Sequence, residues 1–191
     1  MPLSPDVVES IHRLVWSGFY SADEILPVIA EEIYELDDAG TLAAGKEIAR
    51  QFEEKAAAEK AWPDETTCDR LDSLFDDLNR AGIIALQNAG YTQSDGISEI
   101  TERYEELGGE KSGVIGYCFY HGQDLERAVD GMGLLLTFGD ILGDDGKGVK
   151  IGEIVRDRAV ERGFKVEWDG SIKTRIQLAP FEWQRRRPGG R

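Results

Sequence analysis

Two uninterrupted apolar runs most limit what this chain can fold into: Val114-Ile115-Gly116-Tyr117-Cys118-Phe119-Tyr120 and Leu134-Leu135-Leu136-Thr137-Phe138. Neither alternates with polar residues, so each reads as a strand covered on both faces, as in parallel sheets. Helical signals lie between and around them. Thr66-Thr67-Cys68-Asp69 caps a helix whose buried stripe is Leu71, Leu74, Phe75 and Leu78. Ile83-Ile84-Ala85-Leu86 is a short strand, and Ile97, Ile100, Tyr104 and Leu107 mark a helix stopped by Gly108-Gly109. Asp124 to Asp130 is a short helix, and Ile151, Ile154, Val155 and Ala159 mark a long one ending at Gly163. Phe164-Lys165-Val166-Glu167-Trp168 alternates, Asp169-Gly170 signals a turn, and Ile172, Thr174, Ile176 and Leu178 return. From residue 66 the order is thus α-β-α-β-α-β-α-β-β. It predicts parallel crossovers early and an antiparallel hairpin late.

The first third has no strand signal. Ser4 and Pro5 open a helix striped with Val7, Val8, Ile11, Leu14 and Val15, which Gly18 ends. Ser21-Ala22-Asp23-Glu24 has capping-box spacing, and Pro27 is expected to kink the helix it starts. Asp38-Ala39-Gly40 reads as a break before a third helix, from about Leu42 to Trp62. The expected fold class is α/β (α+β): an N-terminal helical region, then a mixed sheet of about five strands with packed helices and a C-terminal β-hairpin. The expected division is a helical region at 1–63, an α/β domain at 64–184 and a flexible basic tail at 185–191.

Composition narrows the function classes. Hydrophobic residues at 41% suit a folded core. The net charge is −15, even with four arginines in the last seven residues, so the body repels phosphate backbones and no nucleic-acid partner is expected. A basic protein partner is compatible with that charge. Cys68 and Cys118 are the only cysteines, which excludes a disulfide framework or a zinc set. No apolar run approaches a membrane span, and Met1-Pro2-Leu3-Ser4-Pro5-Asp6 has no secretory signal pattern, so cytoplasmic residence is expected. No metal and no cofactor are expected.

Two strand-to-helix loops hold the candidate chemistry. In Gln87–Gly96, residues Asn88, Tyr91, Thr92, Ser94 and Asp95 are dense in hydrogen-bonding groups; Thr92 or Ser94 can equally serve as an N-cap, with Asp95 completing a box. In Tyr117–Asp124, His121 is a candidate catalytic acid or base, with Tyr120, Gln123 and Asp124 placed to hold a ligand; Asp124 or Gln123 can instead cap a helix. Cys118 and His121 should point to opposite faces of an extended chain, which argues against a nucleophile pair. If these strands are parallel, both loops reach one sheet edge, and their residues are expected to line one polar crevice at the strand C-terminal ends. The segment Gly139–Gly148 lacks both phosphate-loop and calcium-loop spacing and reads as a solvated loop. Trp168-Asp169-Gly170-Ser171 and Phe181-Glu182-Trp183 are expected to cover the sheet.

Leu14-Val15-Trp16-Ser17-Gly18-Phe19, the stretch Gly82 to Thr92, Phe119 to Asp124, and Trp168-Asp169-Gly170-Ser171 together resemble a bacterial family known only as a domain of unknown function. The resemblance spans most of the chain. It implies a bacterial cytoplasmic protein and brings no activity or catalytic residue. Some relatives carry cysteines around the segment equivalent to Tyr91–Asp95; this chain has none there, so no metal or redox role transfers. The expectation is a non-catalytic binding or regulatory protein for an unknown protein or small-molecule ligand. The alternatives are a small-molecule hydrolase or transferase using His121, and a toxin-neutralising, immunity-type protein, which rests on charge alone.

Overall fold

The computed structural model describes residues 2–186. Two compact units emerge, Met1–Thr66 with Trp183–Arg191, and Thr67–Glu182.

The first unit is helical. Helix α1, Pro5–Ser17, is capped by Ser4 and ends at Gly18 in the left-handed region, at φ 80°. Its buried stripe, Val7, Ile11 and Val15, packs with Ile25, Ile29, Ala44, Ile48 and Phe52. Helix α2, Ala22–Pro27, starts from a complete Ser21/Glu24 capping box. At Pro27 the chain changes into a π-helical turn, Val28–Ile33. The break expected at Asp38–Gly40 is instead a helix start. Asp37 accepts a hydrogen bond from Gly40 N at 2.7 Å, and α3 runs Asp38–Glu59. The interruption falls earlier, at Glu35, whose φ is 46°. Within this unit the Trp183 indole donates to Ser17 O at 2.9 Å, and the Arg185 guanidinium lies 4.6 Å from the Phe19 ring centroid. Arg186 Nη2 donates to Pro63 O at 2.7 Å. The rest of the expected flexible tail, 187–191, lies outside the described residues.

The second unit is a five-stranded sheet of order β1-β2-β3-β5-β4 with helices packed on it. Its elements are α4 Thr67–Arg80, β1 Ile83–Leu86, α5 Gln93–Glu106, β2 Gly116–Phe119, α6 Gly122–Val129, β3 Leu134–Asp140, α7 Asp145–Glu161, β4 Val166–Glu167 and β5 Ile176–Leu178. β1 and β2 are parallel, as expected. β3 corrects the reading of its apolar run: it is antiparallel to β2 and to β5. A continuous apolar run reports burial on both faces, which any central strand has, and not strand direction. The eight-residue α6 spans about 12 Å, too short to carry the chain back along a seven-residue strand of about 23 Å. The C-terminal hairpin β4–β5 is present, but only Val166 and Glu167 pair with Leu178 and Gln177. Residues 168–175 form the connection, held by Trp168 Nε1 donating to Ser171 O at 3.0 Å. Trp168 does cover part of the sheet, edge-on to Phe138 at 5.2 Å, and Phe181 stacks on Phe164.

The strand alternation assigns the layers. Cys118 and Phe138 are register partners on the side of α7, where a methyl on Gly152 would collide with the Phe138 ring. Tyr120 faces the same side, with its ring 5.8 Å from Phe75 of α4. Phe119 faces the opposite side and lies so close under Gly96 of α5 that no side chain fits between them.

Candidate functional site

Parallel pairing of β1 and β2 brings both candidate loops to one sheet edge, and the backbone joins them. Ala89 N donates to Tyr120 O at 2.9 Å, Gly122 N to Gly90 O at 2.9 Å, and Gln123 N to Tyr91 O at 3.2 Å. The loops therefore form one continuous rim, not two walls with a gap. Gly90 is required at its place: its φ is 57°, and a Cβ would collide with that of Asp95.

Much of the candidate polarity serves this construction. Thr92 is the N-cap of α5, and Asp95 closes the box, accepting from Thr92 N and Thr92 Oγ1, both at 2.9 Å. These bonds, with a further one from Tyr91 N, hold the Asp95 carboxyl below the usual carboxylate range. Tyr120 is fully buried and its hydroxyl donates to Gln87 Oε1 at 3.0 Å. Asn88 is half-buried in the left-handed region, at φ 52°. Tyr91, Ser94 and Gln123 remain exposed, with Tyr91 at 54%.

His121 is the N-cap of α6, a role the sequence pattern assigned to Gln123 or Asp124. Its Nδ1 accepts from Asp124 N at 3.4 Å, and Asp124 Oδ2 returns a bond from His121 N at 3.3 Å. With Nδ1 accepting, the ring proton of neutral His121 belongs on Nε2, which lies 3.1 Å from Asp124 Oδ2. Both residues are buried, at 5% and 2% exposure. Burial pushes the imidazole pKa below its ordinary value; Asp124 opposes that shift and Arg175 adds to it.

Cys118 lies on the other face, fully buried, and burial pushes its thiol pKa up, which suppresses thiolate chemistry. Among the described residues no group of three or more His, Cys, Asp or Glu is arranged to hold a metal. Among them, too, no helix is long and apolar enough to cross a membrane.

The chain matches the family model described as Domain of unknown function (DUF6891) over residues 3–187. The chain belongs to this family. No curated protein and no solved structure matches it.

In this DUF6891 protein one functional-looking residue escapes a reading of the sequence. Arg175 Nη1 donates to Asp124 Oδ1 at 2.8 Å and Oδ2 at 3.0 Å, and lies 3.3 Å from His121 Nε2. It neutralises a carboxylate that would otherwise be buried beside a neutral imidazole. Nothing in Lys173-Thr174-Arg175-Ile176 marks it. Only the β3–β5 pairing brings it near α6.

Proposed function

We propose that this protein is a non-catalytic binding or regulatory module of the bacterial cytoplasm, whose ligand sits on the rim formed by the β1 and β2 C-terminal loops. The observation that carries the reading is the joined rim, which keeps Tyr91, Ser94 and Gln123 exposed on a backbone fixed by three inter-loop hydrogen bonds. A rigid platform with an exposed aromatic and adjacent amide and hydroxyl groups suits recognition. The state of His121 supports binding over catalysis: one ring nitrogen is in the cap and the other faces Asp124 and Arg175, so neither is free for proton transfer.

The test is native mass spectrometry of freshly purified protein beside a Tyr91→Ala, Gln123→Ala double variant. A retained ligand or partner that the variant loses, at unchanged melting temperature, supports the reading. Protein that carries nothing, or cargo held equally by both forms, overturns it.

A further inference from the structure

We propose that the outward face of α5 is a docking surface for a basic segment of a partner protein; the inference rests on the rim function above, whose contact it carries along the helix and whose partner it names by chemistry. α5 leaves the rim at its N-cap, Thr92. Ser94, Ile97, Ser98, Thr101 and Glu105 then follow one another along the side opposite the buried Gly96 and Ile100. This stripe is about 16 Å long. An open cleft of about 690 Å³ is lined by Ile97, Ser98, Thr101, Glu102, Glu105 and Glu106, and all six are exposed.

What this face offers a ligand is acceptors and negative charge. Ser98 Oγ donates its proton to Ser94 O at 3.2 Å, and Thr101 Oγ1 donates to Ile97 O at 2.9 Å. A hydroxyl has one proton, so both oxygens can only accept from a ligand. Glu106 is paired with Arg103 at 2.9 Å, whereas the carboxylates of Glu102 and Glu105 have no hydrogen-bond or ion-pair partner among the described residues. The occupant must therefore bring N–H donors and positive charge.

The arrangement also works against the helix that carries it. Glu102 stands three and four residues before Glu105 and Glu106, the spacings at which like charges repel on a helix. Glu105 and Glu106 lie in its last turn, at the negative end of the macrodipole, where cations and not anions are favoured. Arg103 offsets one of these charges and leaves the others. A local rule broken without compensation inside the fold points to a contact outside it. Lysine or arginine side chains laid over the cleft neutralise Glu102 and Glu105, and their aliphatic stems lie against Ile97. A second copy of this chain does not fit, since it brings the same net charge of −15. A free polyamine brings the charge but little volume, and an open cleft of this size leaves it in water.

The experiment is a backbone-amide NMR titration of the full chain with an amphipathic lysine/leucine peptide, its glutamate/leucine counterpart and spermidine. The test variant combines Glu102→Gln with Glu105→Gln. The control combines Glu31→Gln with Glu32→Gln, an equal change of charge at exposed positions of the helical unit. The lysine/leucine peptide should give saturable shifts over 94–106, and the glutamate/leucine peptide none. Binding should be about tenfold weaker in the test variant and unchanged in the control. The free test variant should also unfold at higher urea than the wild type, because it sheds the repulsion along α5. No saturable shift, equal weakening in both variants, a lower urea midpoint in the test variant, or spermidine binding as tightly as the peptide overturns the inference. Shifts confined to 88–93 and 121–124 that survive in the test variant overturn it too, and leave the rim function standing.

Discussion

The side-chain amide of Asn79 pairs with Ala85 as a neighbouring strand would. Its Oδ1 accepts from Ala85 N at 3.0 Å and its Nδ2 donates to Ala85 O at 3.1 Å. β1 is an edge strand of the sheet, and an open edge is a template for another chain. Asn79, from α4, closes that edge at its centre. Asn79→Ala removes both bonds and leaves the buried Ala85 backbone unpaired, at a cost of about 2–3 kcal/mol. Urea unfolding should show the lower midpoint, and sedimentation should show concentration-dependent self-association. A variant as stable and as monodisperse as the wild type would remove the edge-closing role.

Acidification should weaken the sheet unit as the pH falls below the ordinary histidine value. The folded pKa of His121 is depressed below its ordinary 6.5, so between those values the unfolded chain binds a proton that the folded chain does not. Stability is therefore full above pH 6.5 and declines as the pH falls below it. The physical cause is local: burial disfavours the imidazolium, Arg175 adds to that while Asp124 partly offsets it, and protonating Nδ1 also destroys the bond from Asp124 N. His121→Asn keeps a good N-cap without a titrating group. Its unfolding midpoint should match the wild type at neutral pH and stay level where the wild type declines, above the carboxylate range. Parallel pH profiles in the two proteins would contradict the assignment.

What a reading of residues can and cannot reach is clear at these same positions. The Thr92/Asp95 box was legible because its spacing is a local rule, and so were the helix start at Ser4 and the Ser21 box. The cap at His121 was not, because imidazole is a rare capping group and its neighbours Gln123 and Asp124 are commoner hydrogen-bonding residues for such a turn. The convergence of the two loops is legible from the β1-α5-β2 order, since a strand-helix-strand crossover long enough to return the chain implies parallel neighbours. The direction of β3 was not, because an apolar run records burial alone. Arg175 was invisible for a related reason. It reaches Asp124 across 51 residues of sequence through strand pairing, and no local pattern encodes which strand enters between β3 and β4. The cap at Asp37 is masked by the adjacent Asp38-Ala39-Gly40, which looks like a turn, although an Asp before such a segment caps a helix equally well.

Trp183 should be an anchor of the helical unit. It is buried at 8% exposure, its indole donates to Ser17 O, and Arg185 stacks over it at 5.6 Å. Truncating a buried tryptophan costs about 3–5 kcal/mol. Trp183→Ala should therefore lower the stability of the helical unit by that amount. Trp183→Phe should recover most of the packing but not the bond to Ser17 O, leaving a loss of about 1 kcal/mol. Amide hydrogen exchange resolves the two units, and the loss should appear in α1 and α3. Equal protection of those helices in the wild type and Trp183→Ala would disprove the anchoring.

Gly90→Ala tests whether the rim is a rigid platform. The residue sits at φ 57°, which costs an alanine about 1 kcal/mol. The greater cost is steric, because the new Cβ would occupy the place of the Asp95 Cβ. Asp95 cannot retreat without giving up its bonds from Thr92 N, Thr92 Oγ1 and Tyr91 N, and Glu99 Oε1, which accepts from Gly90 N at 2.7 Å, would be displaced as well. The expected loss is about 2–4 kcal/mol, with amide shifts concentrated at 88–95 and 121–124. The Asp95 carboxyl should then titrate closer to its ordinary 3.8, because the groups that lower it have moved. A variant that keeps Asp95 depressed and the inter-loop bonds protected from exchange would mean that the rim can yield without breaking, and a preformed binding platform would no longer follow from its geometry.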